Sequence, residues 1–182
     1  MGAKVLELRH PVKHALRAAV IVVAVVACVP GWSANSSSAS ASATIVAPMT
    51  ISSATNLSFG SFDASRAGTV TVDTAGNRSA SGVTLSGGTP AAATFSIGGQ
   101  AGLSYNIAYT GTSASLSNGS DAMDLSIVSD LGGAASSAGE PVSSGTLNTG
   151  PTTLRVGGTL TVKAGTPPGS YNGNISVTVQ YQ

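Results

Sequence analysis

Chemistry at neutral pH needs bases, nucleophiles or metal ligands, and beyond Arg17 this chain offers few. The carboxylates there are Asp63, Asp73, Asp121, Asp124, Asp130 and Glu140; the cations are Arg66, Arg78, Arg155 and Lys163. Both histidines, His10 and His14, and the single cysteine, Cys28, lie near the N-terminus. A metal centre wants clustered His, Cys or carboxylates. Asp121 and Asp124, within Asn118-Gly-Ser-Asp-Ala-Met-Asp124, are the close pair, and they read either as a loop calcium site or as a solvated turn. Calcium takes about six to eight oxygens and this segment offers few, which favours the turn. Paired carboxylates can also hydrolyse glycosides. Such sites sit in aromatic grooves, whereas Phe95, Tyr105, Tyr109 and Tyr181 fall in period with core positions. A serine nucleophile needs an activating base, and Lys163 has no Ser-x-x-Lys context. Gly-Lys-Ser/Thr, the mark of a phosphate-cradling loop, does not occur. The sequence therefore predicts no enzyme, no catalytic residue, no metal and no cofactor.

The charges that remain are unevenly placed. Lys4, Arg9, Lys13 and Arg17 precede the apolar run Ala18–Val29, and Pro30-Gly31 ends it. As a helix that run spans about 18 Å, short of a bilayer core of roughly 30 Å. Basic, then apolar, then small and polar is the order of a secretory signal peptide, expected over residues 1–34 with cleavage near Ser33 to Ser36. Val25-Val26-Ala27-Cys28 resembles a lipoprotein processing box without its usual leucine, so lipid anchoring through Cys28 is the alternative. Export is the expectation, to the surface or exterior of a Gram-negative cell or to its periplasm, with no membrane span after cleavage. A formal net charge of +1 gives no footprint for nucleic acid.

What positions the remaining residues is a pattern of period two. Asn35–Ser42 is a Ser/Ala-rich stretch without apolar periodicity, read as a flexible leader. From residue 43 to 182, read as one domain, apolar residues alternate: Ile45, Ala47, Met49 and Ile51; Val70 and Val72; Val83 and Leu85; Phe95 and Ile97. Leu103 to Tyr109, Met123 to Ile127, Leu154 and Val156, Leu160 and Val162, and Ile175, Val177, Val179 and Tyr181 continue it. Alternation puts one face of a strand on a core and the other in water. Gly87-Gly88, Gly98-Gly99, Asn118-Gly119, Gly132-Gly133 and Pro167-Pro168-Gly169 punctuate the runs. The expectation is an all-β, immunoglobulin-like antiparallel β-sandwich of roughly eight to ten short strands. Gly68-Thr-Val-Thr-Val72 and Gly158-Thr-Leu-Thr-Val162 are near-repeats, read as shared strand composition rather than duplication. Pro48 lacks an N–H and so belongs on an edge strand or at a bulge, which suits a first strand with a free side. No charge blunts that edge, since none occurs from Ala18 through Phe62.

Two segments carry a family resemblance. Ala43-Thr-Ile-Val-Ala-Pro-Met-Thr-Ile51, Gly157-Gly-Thr-Leu-Thr-Val162 and Pro168-Gly-Ser-Tyr171 resemble the secreted bacterial family called domain of unknown function 4402. More distantly, Leu57, Phe59, Gly60, Phe62 and Asp63, with Gly169, Tyr171, Val177, Val179 and Tyr181, resemble the spore coat U and archaic chaperone–usher pilins. The cysteine pair frequent in that group is missing here, with Pro48-Met49 near the place of its first member. That resemblance implies an incomplete sandwich completed by a neighbour's N-terminal strand. Ile45, Ala47, Met49 and Ile51 would then be the donor or first strand, and Ile175, Val177, Val179 and Tyr181 the C-terminal strand that an assembly chaperone pairs with. The implied partners are copies of this chain or other pilin-like subunits. The alternatives are that both segments close the domain's own sheet, or that the domain is a monomeric carbohydrate-binding or adhesive module.

Overall fold

β-Branched and small polar residues fill the alternating runs, and a pleated, half-buried surface is where such side chains fit best. The computed structural model describes residues 35–110 and 113–182; the expected signal peptide and Cys28 lie outside them. Residues 35–42 are exposed and without regular structure. In the unit formed by residues 43–182 there are twelve strands among the described residues, more than the eight to ten expected. They are β1 (Thr50–Thr55), β2 (Ser61–Asp63), β3 (Gly68–Val72), β4 (Arg78–Ser81), β5 (Thr84–Gly87) and β6 (Ala93–Gly98). Then come β7 (Ser104–Thr110), β8 (Ser113–Ser117), β9 (Ala122–Asp130), β10 (Ser144–Thr146), β11 (Thr152–Val162) and β12 (Ser176–Tyr181). All pairings are antiparallel, and the fold is an all-β sandwich.

The larger sheet has seven strands and is organised around β11. β6 pairs with Thr152–Val156 of β11 and β3 with Gly158–Val162, while β9 pairs with Arg155–Thr161. Because β9 overlaps both, β6 and β3 share the opposite edge of β11 in succession. β1 extends the sheet beyond β6, β4 beyond β3, and β8 beyond β9. The near-repeats turn out to be each other's partners: Leu160 faces Val70 and Thr159 faces Thr71, with the two hydroxyls hydrogen-bonded at 2.9 Å. Their shared composition reflects a shared environment, apolar on the inner face and hydroxylated on the outer.

β10, β7 and β12 form the second sheet, and β2 pairs with β5. Tyr105 and Ile107 of β7 pack in one buried cluster with Val70, Leu125, Leu154 and Leu160 of the larger sheet. A closed polar circuit also joins the layers. The Val142 N–H donates to Ser129 Oγ (2.8 Å), the hydroxyls of Ser129 and Tyr109 are 2.7 Å apart, and Tyr109 donates to the Val142 carbonyl (2.9 Å). Every group in that circuit is satisfied, which is what permits a buried Ser129. Burial pushes the Tyr109 phenol above its ordinary value, although the Ser129 bond opposes this.

Three expectations change. β1 begins at Thr50, so Ile45, Ala47 and Met49 lie outside any strand; Pro48, without an N–H, stands where the run was drawn. Leu85, expected on a dry face, is exposed on β5. Leu154–Val156 and Leu160–Val162 are one long strand, with Gly157-Gly158 inside it rather than between two.

That pair of glycines sits where β11 passes from β6 to β3. A Cβ on Gly157 would fall well inside van der Waals contact with the Val72 carbonyl oxygen and stand 2.8 Å from the Asp73 carbonyl carbon. These are backbone atoms at the end of β3 and in the residue after it, which cannot easily give way, so Gly157→Ala should cost about 3 kcal/mol in chemical denaturation, at the upper end for overpacking. The turn after β3 makes a second forecast. Burial alone would raise the Asp73 carboxyl, but the Asn77 side chain and the Asn77 and Ala75 N–H groups outweigh it and hold it below its ordinary value. A depressed carboxyl stabilises the fold above its unfolded pKa and loses that contribution as pH falls through the folded one. The thermal midpoint should therefore fall as pH drops below about 4, and Asp73→Asn should flatten that fall.

Candidate functional site: a groove between the first and last strands

In the segment Asn56–Asp63, which follows β1, only β2 at its end is regularly paired, with β5; the part before it is held by individual backbone bonds. Ser58 exchanges two backbone hydrogen bonds with Ala91 (2.8 and 3.0 Å), and its hydroxyl donates to the Thr89 carbonyl at 3.0 Å. Phe59 turns into the core and is buried. Gly60 then adopts a positive φ of 67°, and its missing side chain leaves room for Arg78. The Arg78 guanidinium, reaching from β4, donates through Nη1 to the carbonyls of Phe59 (2.8 Å) and Gly87 (2.9 Å), with Ser61 at 3.4 Å. A Cβ on Gly60 would fall inside van der Waals contact with that nitrogen. Asp63 ends the segment. Its carboxylate accepts from the Ser65 hydroxyl (2.8 Å) and the Ser65 N–H (2.9 Å), which hold it below the usual carboxylate range.

The facing segment, Gly165–Ile175, leads into β12. The Gly165 N–H donates to the Ala64 carbonyl (2.9 Å), joining the two segments at one end. The Tyr171 hydroxyl donates to the Pro167 carbonyl at 2.9 Å. Partial burial, with Asp121 nearby, raises its phenol above the ordinary value. Asn172 and Ser117 form an isolated bridge, each N–H donating to the other's carbonyl (2.8 and 2.9 Å).

Between these walls lies an open groove of about 1320 Å³. Its floor is core: Phe95 from β6, Met123 and Leu125 from β9, and Leu160 from β11. Ser53 and Thr55 of β1 stand on one side, Tyr171, Asn174 and Ile175 on the other. Among the described residues, Asp63 is the one charged residue lining it, and its carboxylate is taken by Ser65. An uncharged guest with an apolar face and a hydrogen-bonding backbone suits such walls better than an ionic ligand.

Both strands beside the groove have a free side among the described residues. β1 pairs only with β6, and β12 only with β7. Neither carries a charge. Exposed, uncharged edges are templates for another strand.

The two sets of residues singled out in the sequence fall as follows. Ile45 is 97% exposed, Ala47 is exposed, and Met49 and Ile51 are half-buried against the core. Ile175 lines the groove just before β12; Val177, Val179 and Tyr181 are half-buried and face Tyr109, Ile107 and Tyr105 of β7. The first and last strands do not pair with each other; β1 lines the groove through Ser53 and Thr55, and β12 begins one residue after the groove-lining Ile175. The six carboxylates beyond Arg17 are not gathered into one place. Asp63, Asp73 and Asp130 each hold their own turn, Asp130 through the N–H groups of Gly133 and Ala134. The Asn118–Asp121 stretch is a turn in which Asn118 Oδ1 accepts from the N–H groups of Ser120 (3.0 Å) and Asp121 (2.8 Å). Sequence reasoning missed Arg78; a lone arginine in a neutral stretch, opposite an equally isolated Phe-Gly-Ser, was the available signal.

A family model described as Domain of unknown function (DUF4402) matches residues 49–181. No curated protein and no solved structure matches the chain.

Replacing Arg78 by methionine keeps the stem but removes the donor to the Phe59 and Gly87 carbonyls. The expected loss is about 2 kcal/mol, the range for hydrogen bonds to a charged group. Amide exchange should rise more at Gly60 and Ser61 than at Val70. Equal acceleration at all three would show that Arg78 supports the whole fold rather than this wall.

Proposed function

We propose that this chain, which belongs to the family Domain of unknown function (DUF4402), is an exported, non-enzymatic structural subunit of a bacterial surface. Its groove receives an extended apolar segment from a second copy or a related subunit. One observation carries the reading: the open groove onto the core is lined by the uncharged free edge of β1 and by the segment that leads into β12, while the chain's own apolar arm stands in solvent. Ile45 and Val46, 97% and 41% exposed, are two of the three exposed large hydrophobic residues among those described. The resemblance of the two groove walls to pilin-like sequences supports the same reading. It also assigns β12 to an assembly chaperone before subunits join.

Magnitudes decide what must hold such a guest. Burying each large side chain contributes about 1.5–3 kcal/mol, while ordering each backbone residue costs about 1–2 kcal/mol. Ile45 and Val46 point to opposite faces of an extended segment, so one of them enters the groove, and its burial alone does not offset the ordering of a five-residue segment. Ladder hydrogen bonds to a free edge, about 1 kcal/mol each, make up the difference. The edge is as necessary as the groove, which is the logic of β-augmentation.

Deleting residues 35–46 removes the arm and leaves β1 intact. The full chain should run on a sizing column as concentration-dependent oligomers, and the deleted chain as a monomer of near-equal thermal stability. A full chain that stays monomeric at every concentration would refute donation.

A further inference from the structure

Tyr181 stands one residue from the end of the chain, yet its hydroxyl uses both its proton and a lone pair. It donates to the Ala47 carbonyl (2.7 Å) and accepts from the Gln100 N–H (2.7 Å). Three distant segments thus meet at one oxygen: the arm before β1, the turn after β6, and the last strand. The approach depends on Gly99, where a Cβ would lie 2.5 Å from that oxygen. Residues 43–49 belong to no strand, so this bond fixes where the arm leaves the domain.

The place of departure matters because β1 and β12 run between two ends. Thr50 pairs with Gly98 at the end where Tyr181 holds Ala47, whereas Ser53, Thr55 and Ile175 line the groove toward the other. Along β12 about 20 Å separates Ile175 from Tyr181, and along β1 the lining starts at Ser53, about 10 Å from Thr50. Ile45, two residues upstream of Ala47, reaches only about 7 Å from it even when fully extended. While the tether holds, the most exposed apolar side chain of the arm is out of range of its own groove.

We infer that Tyr181 is a positioning residue: its hydroxyl keeps the arm from its own groove and presents it to the groove of another copy. That consequence rests on the docking reading above; the tether itself does not. With arm and groove at opposite ends, each contact joins unlike surfaces. Such heterologous contacts give open-ended chains unless the rotation happens to close a ring.

The test uses the full chain with Cys28→Ser, so that Ile45→Cys and Asn174→Cys are its only thiols, joined by a short bismaleimide. Asn174 is an exposed residue on the groove rim. With Tyr181 present, dilute protein should give no intrachain cross-link, and concentrated protein should give interchain links. Tyr181→Phe keeps the ring and deletes the hydroxyl. It should speed Gln100 amide exchange about five- to tenfold, the equivalent of one net hydrogen bond, and allow the intrachain link. Val70 exchange at the normal rate confirms that the variant is folded. An efficient intrachain link with Tyr181 in place, or unchanged Gln100 exchange in Tyr181→Phe, overturns the tether. Faster Gln100 exchange with no interchain link at any concentration overturns the docking reading instead, leaving the intrachain result to judge the tether.

Discussion

A β-strand has two edges, and each stretch of an edge can satisfy one neighbour. β11 gives one edge to β9 and divides the other between β6 and β3. Without it the larger sheet falls into three two-stranded ribbons: β1 with β6, β3 with β4, and β8 with β9. Isolated ribbons of that kind are marginal in water. The division is possible because Gly157 carries no side chain where the end of β3 crosses close to β11. Leu154, Val156, Leu160 and Val162 then present one continuous inner row to Tyr105 and Ile107 of the second sheet. The core, both layers and the floor of the groove all follow from that shared edge.

The groove belongs to the same economy of edges. β12 completes the second sheet on one side only, and β1 does the same for the first. The walls between them have little regular pairing: one is held by the short β2–β5 ladder and a guanidinium on backbone carbonyls, the other by an isolated bridge and a tyrosine–carbonyl bond. Fastening a wall from behind leaves its inner surface unfilled. A ladder partner inside the groove would have closed the opening. The Phe-Gly-Ser-Phe-Asp stretch is accordingly intelligible as carpentry: one aromatic for the core, a glycine for the arginine, an aspartate for the turn.

Much of this was legible in the residues. Met123, Leu125 and Ile127, or Val70 and Val72, alternate cleanly because one side of each strand is core and the other is water. Pro48 suggested an edge strand or a bulge; β1 is an edge, but it begins two residues beyond the proline. The failures share a cause. Periodicity reports the environment of a side chain, so it extended the first strand back to Ile45, where apolar residues alternate without any ladder to join. It placed Leu85 inside for the same reason, although β5 pairs only with the short β2. A Gly-Gly pair reads as punctuation from local propensity, but at Gly157-Gly158 it answers to the approach of another strand. The two walls of the groove were visible as unusual segments. That they face each other depends on which strand lies beside which, and no local pattern encodes it.

The hub strand is the eleventh of twelve. A chain made from its N-terminus can form its three ribbons early, since each draws on strands that precede β11. None can enter a common sheet until residue 162 is free to pair. The pairing that then forms is non-local, with Thr71 meeting Thr159 across most of the domain. Loop closure over such separations makes assembly slow. In the interval the ribbon edges that will face β11 are open, together with the apolar faces they will later hide. The hazard for this molecule is thus one of timing: the chain is most vulnerable between the appearance of β9 and the arrival of β11.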